Sequence, residues 1–321
     1  MNGLKVTWFD NWHPELDAAL KYLPEVENCP HELTRLLIQN QCPVQKKTAL
    51  VMDKTEPVAV IGLRQRGQFS WELLTQWIIP GLVFPAKSEY IIPALEAIGR
   101  DTWVAWWRMK QPPPQSPSIR YLESTPTYRM SLSDDFEQYW RENGFFKTIR
   151  RIRNRCRDYT LKVNPPGSAE WIIRNWETRW RKNPSVMDPG VPDRIFAAKY
   201  LEGFNLYYSL MLFDGETPIG GATMTVQDNQ LIAGVLCRDR KYHHDGIGDR
   251  LIDLSFSFGA ERGFDCFDIG GGHNYKKHWA RQEGEHWLFN MCPSPLYQMK
   301  QITKWVRRLG RKDGDLITQS D

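Results

Sequence analysis

The chain has 321 residues, which is enough for two domains of ordinary size that each bury their own core. Hydrophobic residues make up 41% and charged residues 25% of the sequence, a composition that is typical of globular proteins and excludes the disordered and collagen-like classes. The net charge of +4 is too small to predict a strong overall attraction for nucleic acid.

The cysteines and the apolar segments indicate the cellular compartment in which the protein is expected. Six cysteines are scattered along the chain without a Cys-x-x-Cys pair, which favours reduced thiols. The sequence shows no secretory signal pattern, and no apolar run approaches the length that spans a bilayer. We therefore predict a cytoplasmic protein without a membrane span. The 14 tryptophans indicate either large cores or an aromatic pocket.

The first 110 residues alternate between helical and strand patterns. Residues 49–63 read as two apolar strands around a short polar turn, which predicts a hairpin. The other elements predicted here are a helix at 14–23, a helix at 88–99 and a buried strand at 103–107. Together they predict an N-terminal domain at 1–110.

A proline-rich segment follows this domain. Residues 111–117 contain four prolines and can hold neither a helix nor a sheet ladder. We predict a linker at 111–126, a C-terminal domain at 127–295, and a basic helix with a tail at 296–321.

The C-terminal half repeats the pattern of the first half. Strands predicted at 207–213 and 218–226 flank a turn at 214–217, as the first hairpin flanks its own polar turn. A helix at 171–182 precedes this hairpin, and a strand at 231–237 follows it. This weak internal repeat predicts a duplicated α/β fold.

A glycine turn comes after the strand at 231–237. The residues Gly246, Ile247, Gly248 and Asp249 lie where a polar turn continues into an apolar-periodic helix. Backbone N–H groups and the positive end of the helix dipole at such a point suit a phosphate or pyrophosphate. The third glycine of a dinucleotide fingerprint and the Gly-Lys-Ser/Thr of a P-loop are both absent, which argues against those two nucleotide-binding classes.

A basic helix is predicted at 147–157, with six basic residues in eleven. These residues have three readings: they clamp phosphates of a small substrate, contact an RNA backbone, or form a solvated face. They do not all share one helix face, so only some are expected to bind an anion. Arg150 and Arg153 are our candidates.

The order of these elements resembles the GCN5-related N-acetyltransferase (GNAT) fold: a hairpin, a strand, a glycine turn, a helix and a strand at 264–268. The following segment 270–279, which contains Tyr275-Lys276-Lys277-His278-Trp279, resembles the FemAB/CelD-like (BioF2-like) branch of tandem-domain acyltransferases. The resemblance implies an α/β protein of tandem GNAT-like domains, with mixed sheets flanked by helices and a cleft between the domains.

The same resemblance implies a functional residue at Lys276, whose cation would stabilise negative charge in acyl transfer. Tyr275 is a candidate for substrate orientation or general acid catalysis, and Asp268 and His273 are candidate proton acceptors. Each of these also has a structural reading as a packing, capping or surface residue. The histidine spacing around His273 implies no zinc site, and we expect no metal.

The function implied is acyl transfer from acyl-CoA to an amine or hydroxyl acceptor by direct attack in a ternary complex. The turn departs from the coenzyme A-binding pattern of the superfamily, with His243 in its first position and Asp245 inside it. An aminoacyl-tRNA donor therefore stays open, as does a non-catalytic scaffold or RNA-binding protein. The acceptor is expected to be a small molecule or a cell-envelope precursor, and tRNA is a possible partner.

Overall fold

A computed structural model of the chain describes residues 3–303. Short segments inside this range are not described: 27–28, 77, 80–82, 110–111, 113–114, 117, 133–135, 181–187, 272–275, 278, 294, 296–297 and 300–301. Of the predicted linker at 111–126, residues 111, 113–114 and 117 fall outside the described residues, and residues 119–126 form the first part of a strand, Ile119–Ser131. The predicted basic helix at 296–321 falls mostly outside the described residues.

The first half contains six strands and three helices in its described part. The strands are β1 (Leu4–Phe9), β2 (Lys46–Asp53), β3 (Glu56–Gly67), β4 (Ser70–Leu73), β5 (Trp103–Met109) and β6 (Ile119–Ser131). The helices are α1 (Pro14–Leu20), α2 (His31–Gln39) and α3 (Ile91–Ile98). The predicted hairpin is confirmed as β2–β3, whose strands pair from Asp53 and Glu56 at the turn.

The second half adds the remaining described elements. The helices are α4 (Phe136–Glu142), α5 (Phe146–Arg155), α6 (Ser168–Trp180), α7 (Val191–Glu202) and α8 (Ile247–Glu261). The strands are β7 (Thr160–Val163), β8 (Tyr207–Asp214), β9 (Thr217–Gln227), β10 (Gln230–Arg238), β11 (Cys266–Gly271) and β12 (Arg281–Met291). The second predicted hairpin is confirmed as β8–β9.

The described strands form one continuous sheet in the order β1-β2-β3-β4-β5-β12-β6-β11-β10-β9-β8-β7. Strands β1–β5 and β7–β11 have the same connections: strand, two helices, three antiparallel strands, one helix, and a strand parallel to the one before it. The α/β class with a mixed sheet flanked by helices is therefore confirmed, and the topology contains the repeat that the sequence indicated.

The strand that follows each repeat in the chain pairs with the other repeat. β6 follows β5 in the chain but pairs with β11, whereas β12 pairs with β5. β6 and β12 also pair with each other, from Arg281 opposite Arg129 to Met291 opposite Ile119. This exchange joins the two halves through the centre of the sheet.

Helices cover the sheet with separate apolar clusters. The largest cluster packs α4, α5 and α8 on β6 and β8–β11, with Trp140, Tyr128 and Phe256 as its bulkiest fully buried side chains. A second cluster packs α3 on the first-half strands. A third joins α2 to α6 and α7, and so connects the two halves. Among the described residues, no helix is both long and apolar enough to cross a membrane.

Candidate functional site

The strands β10 and β11 separate soon after they pair. Their parallel register covers only residues 230–232 opposite 266–268 among the described residues, although β10 continues to Arg238. At the same point the register between β10 and β9 shifts, between Ala233 and Leu236. The C-terminal part of β10 therefore diverges from β11, which opens a wedge between two parallel strands.

Gly234 is required for this divergence. A Cβ atom at this position would lie 2.4 Å from Thr223 Oγ1, closer than any real contact. The Thr223 hydroxyl accepts a hydrogen bond of 2.9 Å from the Val235 N–H, and so replaces a strand partner inside the bulge. The bulge is thus held by a side chain of β9, and it turns β10 away from β11.

The glycine turn lies beyond the end of β10, and a short 3-10 turn at Arg240–Asp245 separates it from the strand. Gly246 has a φ of +75°, a left-handed conformation that favours glycine, and α8 begins at Ile247. Residue 246 contacts α5, because a Cβ there would lie 3.4 Å from Ile152 Cγ1.

The other residues of the turn differ in what they offer a ligand. Ile247 is fully buried, so it packs into the core at the helix start and offers a ligand no exposed atom. Gly248 has open space, since a Cβ there would meet only Leu236 Cδ2 at 3.8 Å. Burial raises the pKa of Asp249, and the nearby Arg238 opposes this. A carboxylate in the first turn of α8 weakens the attraction of this helix end for an anion.

Asp268 lies inside β11, almost fully buried, and its carboxylate joins three strands. Oδ1 accepts a 2.7 Å hydrogen bond from the Gly270 N–H, and Oδ2 lies 3.4 Å from Arg129 Nε and 3.5 Å from His286 Nε2. Burial raises the pKa of Asp268, but His286, the Gly270 N–H and Arg129 together lower it below its usual value. These contacts hold an ionised carboxylate between β11, β6 and β12.

Replacing Asp268 by asparagine is expected to lower the free energy of unfolding by about 2–3 kcal/mol at pH 7, because charged hydrogen bonds are lost. A carboxyl whose pKa is lowered on folding stabilises the protein above its unfolded pKa of about 3.9. That contribution disappears as the pH falls through the lower, folded pKa. Urea unfolding of wild type and variant should therefore show a difference that shrinks below about pH 4.

Asp265→Asn is the matched control for this prediction, because it is the same substitution on an exposed side chain three residues earlier. It should change the free energy of unfolding by less than about 0.5 kcal/mol. A pH-independent difference for Asp268→Asn would contradict the ion pairing described for this carboxylate.

Lys276 is half-buried and lies five residues after the last residue of β11, Gly271. Its Nζ donates hydrogen bonds to the main-chain oxygens of Ile269 at 2.6 Å and Gly271 at 3.1 Å. The ammonium group is thereby fixed at the end of β11. Tyr275 and His273 lie outside the described residues, so their predicted roles stay predictions.

The two arginine candidates of α5 differ in their surroundings. Arg150 is exposed, as are Lys147 and Arg151. Arg153 instead donates from Nε and Nη2 to the two carboxylate oxygens of Asp253 at 2.9 and 2.8 Å, and it also pairs with Glu137. Arg153 therefore joins α5 to α8 and α4, an arrangement that competes with anion binding.

The sequence analysis missed Arg129 and His286. Both lie in strands without a recognisable motif, and only the pairing of β6 with β11 and β12 brings them to Asp268. No group of three or more His, Cys, Asp or Glu residues that could hold a metal ion is found among the residues that the structure describes.

Comparison with known families identifies the region that contains the wedge, the glycine turn and Lys276. Residues 143–279 match the acetyltransferase (GNAT) domain. The match begins before α5 and ends at Trp279, just before β12, and so covers most of the second half of the chain. A comparison with curated protein sequences gives no match.

Solved structures share the fold of this chain over nearly its whole length. The C-terminal domain of a putative lysylphosphatidylglycerol synthetase from Agrobacterium fabrum aligns over 91% of this chain and 95% of its own, with 13% identity and a TM-score of 0.53. The L-PGS structure from Bacillus licheniformis aligns over 94% and 97%, with 13% identity and a TM-score of 0.50. A conserved protein of unknown function from Bacteroides thetaiotaomicron aligns over 89% and 100%, with 10% identity and a TM-score of 0.53.

Proposed function

We propose that the protein is an acyltransferase that moves an acyl group from acyl-CoA to an amine or hydroxyl acceptor. The observation that carries this proposal is the divergence of β10 from β11 inside the region that matches the GNAT domain. The wedge exposes strand edges to an extended ligand, and the glycine turn with the start of α8 lies beyond the same end of β10. Backbone N–H groups there suit the pyrophosphate of coenzyme A.

The transfer is a direct attack in a ternary complex. The acceptor nitrogen or oxygen forms a bond to the thioester carbonyl carbon, the C–S bond breaks, and the sulfur leaves with the acceptor's proton as the coenzyme A thiol. Holding both substrates together supplies much of the rate. Negative charge develops on the carbonyl oxygen, and Lys276, fixed by two main-chain oxygens, is a preorganised cation at the end of β11.

We also propose that the chain belongs to the FemAB/CelD-like branch of the superfamily. The support is the segment 270–279, whose Tyr-Lys-x-x-Trp order follows β11 in the sequence. Lys276 is half-buried and Trp279 is buried, which indicates that these two residues of the segment pack against the domain.

A second donor, aminoacyl-tRNA, is favoured by one observation. The exposed positions Lys147, Arg150 and Arg151 place three cations on the outer side of α5, and Ile152 of the same helix contacts the glycine turn. Asp249 in the first turn of α8 disfavours a pyrophosphate at the same place. An RNA backbone would be attracted to the basic side of α5 by counterion release.

The acyl-CoA proposal predicts a thermal shift that depends on Gly248. Saturating acetyl-CoA or a longer acyl-CoA should raise the melting temperature of the wild type by about 5 °C or more, because the ligand binds only the folded state. Gly248→Glu should abolish this shift, since its carboxylate would stand at the helix start where the pyrophosphate binds. Differential scanning fluorimetry measures both effects.

Gly248→Ala is the matched control, because a Cβ at this position meets only Leu236 and should leave the shift unchanged. Gly246 is unsuitable, because its positive φ strains any replacement. A shift with aminoacylated tRNA and with no thioester would replace the proposal by the second donor. If none of these ligands raises the melting temperature, the non-catalytic scaffold becomes the leading reading. In that case, an affinity for RNA that falls in Arg150→Glu would identify an RNA-binding protein.

A further inference from the structure

A cavity of about 360 Å³ lies beside the apolar cluster of α4, α5 and α8, between the start of β12 and the connection from α4 to α5. Its described lining includes Tyr128 of β6, Phe145 of the connection, and Lys277, Trp279 and Arg281 of the segment after β11. This volume is in the range of small-molecule sites. The cavity adjoins the transfer site, because Lys277 follows the fixed Lys276 in the chain.

One wall of the cavity is aromatic and rigid. The rings of Phe145 and Trp279 stack with their centroids 5.7 Å apart and 22° between their planes. Trp140 packs edge-on against Trp279 at 5.6 Å, and the Tyr139 hydroxyl donates a 3.1 Å hydrogen bond to the Trp279 main-chain oxygen. Trp279 is buried and Phe145 is half-buried, so this wall offers an apolar group the exposed part of the Phe145 ring and the edge of Trp279.

The polar part of the cavity lining contains two cationic side chains. Lys277 and Arg281 both line the cavity and are both exposed, and no acidic residue occurs among the described lining residues. Glu283 does not belong to the described lining. It lies near the Tyr139 hydroxyl, whose pKa is raised by burial, lowered by Arg281 and raised by Glu283. The charge that a ligand in the cavity meets is therefore positive.

Polar groups at the bottom of the cavity are available to a ligand. Tyr128 lines the cavity and is 1% exposed, and its hydroxyl is a hydrogen-bond donor. Asn143 uses its Nδ2 to donate to the Tyr139 main-chain oxygen at 2.8 Å, so its side-chain oxygen remains as an acceptor. A buried hydroxyl donor beside two cations matches an anionic oxygen.

We infer that this cavity binds the acceptor of the acyl group, and that the acceptor carries a carboxylate or phosphate group next to a planar or apolar part. The anion lies between Lys277 and Arg281, and the apolar part lies against the wall formed by Phe145 and Trp279. The role as acceptor site rests on the proposed acyl transfer, whereas the preference for an anionic ligand rests on the cavity alone. Carboxylate and phosphate share the required chemistry, and the experiment distinguishes them.

The test compares three probes of similar shape: phenylacetate, phenyl phosphate and the neutral phenylacetamide. Dissociation constants are measured by ligand-observed NMR on the full chain. At least one anion should bind at least ten times more tightly than phenylacetamide. The double variant Lys277→Gln/Arg281→Gln should weaken binding of that anion tenfold or more. Preference for phenyl phosphate over phenylacetate would identify a phosphorylated acceptor, and the reverse a carboxylate.

The matched control removes the same two charges elsewhere. Lys21→Gln/Arg100→Gln changes an exposed lysine and an exposed arginine that are not among the described lining residues, and it should bind the anions as the wild type does. Equal affinity for the anions and phenylacetamide, undiminished anion binding in the cavity variant, or no anion binding in the millimolar range would overturn the inference. Acyl-CoA plays no part in these measurements, so anion binding without a thioester shift would contradict the proposed function alone.

Discussion

Replacing Asp253 by alanine is expected to lower the free energy of unfolding by about 3–5 kcal/mol, because it removes one partner of a buried ion pair. Asp253 on α8 is fully buried, and its two carboxylate oxygens accept hydrogen bonds from Arg153 on α5. Arg250 also contacts this carboxylate. Asp253 raises the pKa of Arg153 most strongly, burial lowers it, and Glu137 raises it further. The guanidinium stays charged when Asp253 is lost, because arginine keeps its proton at neutral pH even without a partner. Equilibrium unfolding in urea measures the change.

The control is Arg157→Ala, which breaks an ion pair with Asp158 whose two side chains are 77% and 83% exposed. Its cost should stay below about 0.5 kcal/mol, because solvent screens such a pair. A similar small cost for Asp253→Ala would show that α5 is held to α8 by its apolar contacts alone. Because α5 also contacts the glycine turn, Asp253→Ala should weaken acyl-CoA binding along with stability.

Asp193→Ala is expected to lower the free energy of unfolding by about 3–5 kcal/mol, because it also removes one partner of a buried ion pair, here between the two halves of the chain. The Lys46 ammonium on β2 is almost fully buried and donates to Asp193 Oδ1 at 2.8 Å, to the Leu37 oxygen at 2.6 Å and to the Asn40 oxygen at 3.0 Å. Asn40 Nδ2 also donates to Asp193 Oδ1 at 2.6 Å. These bonds join α2 and β2 of the first half to α7 of the second half, so their loss leaves a buried cation at the junction.

A second variant separates lost charge pairing from lost packing. Lys46→Met/Asp193→Leu replaces both charges by apolar groups and should recover most of the stability that Asp193→Ala loses. Lys199→Ala, which breaks an exposed pair with Glu170, should cost less than about 1 kcal/mol. If the apolar double variant unfolds as easily as Asp193→Ala, packing around the pair and not the unpaired ammonium decides the stability of the junction. Urea unfolding of all three variants measures these differences.

Local patterns in the sequence were enough to predict the parts of the fold that depend on neighbouring residues. Both hairpins have polar turn residues between apolar strands, and both are present as β2–β3 and β8–β9. The exchange of β6 and β12 could not be predicted in this way. Residues 281–291 are polar in their first half and mostly apolar in their second half, without the alternation that predicts a strand, and their pairing with β5 spans more than half the chain. Tertiary contacts decide such a strand.

The residues of the candidate site also divide into those that a local sequence pattern predicts and those that only the fold brings together. The glycine turn and Lys276 were found because glycine conformation and the Tyr-Lys-x-x-Trp order are visible in the sequence. The contacts of Asp268 and Arg153 were not found, because the residues that pair with them, His286 and Asp253, lie on other elements and belong to no motif. Sequence gives the residue type at a position, whereas the fold decides whether a charge meets a ligand or another side chain.

The pairing of β12 with β5 has a consequence for synthesis on the ribosome. β5 is complete once Met109 has emerged, but its neighbour on one side is formed by residues 281–291. At ~5–20 residues per second, translation needs roughly ten to thirty seconds to supply that neighbour. During this interval the tryptophan-rich strand Trp103–Met109 has an unpaired edge, which is a template for aggregation. The nascent chain therefore needs protection longest at the strand that later lies near the middle of the finished sheet.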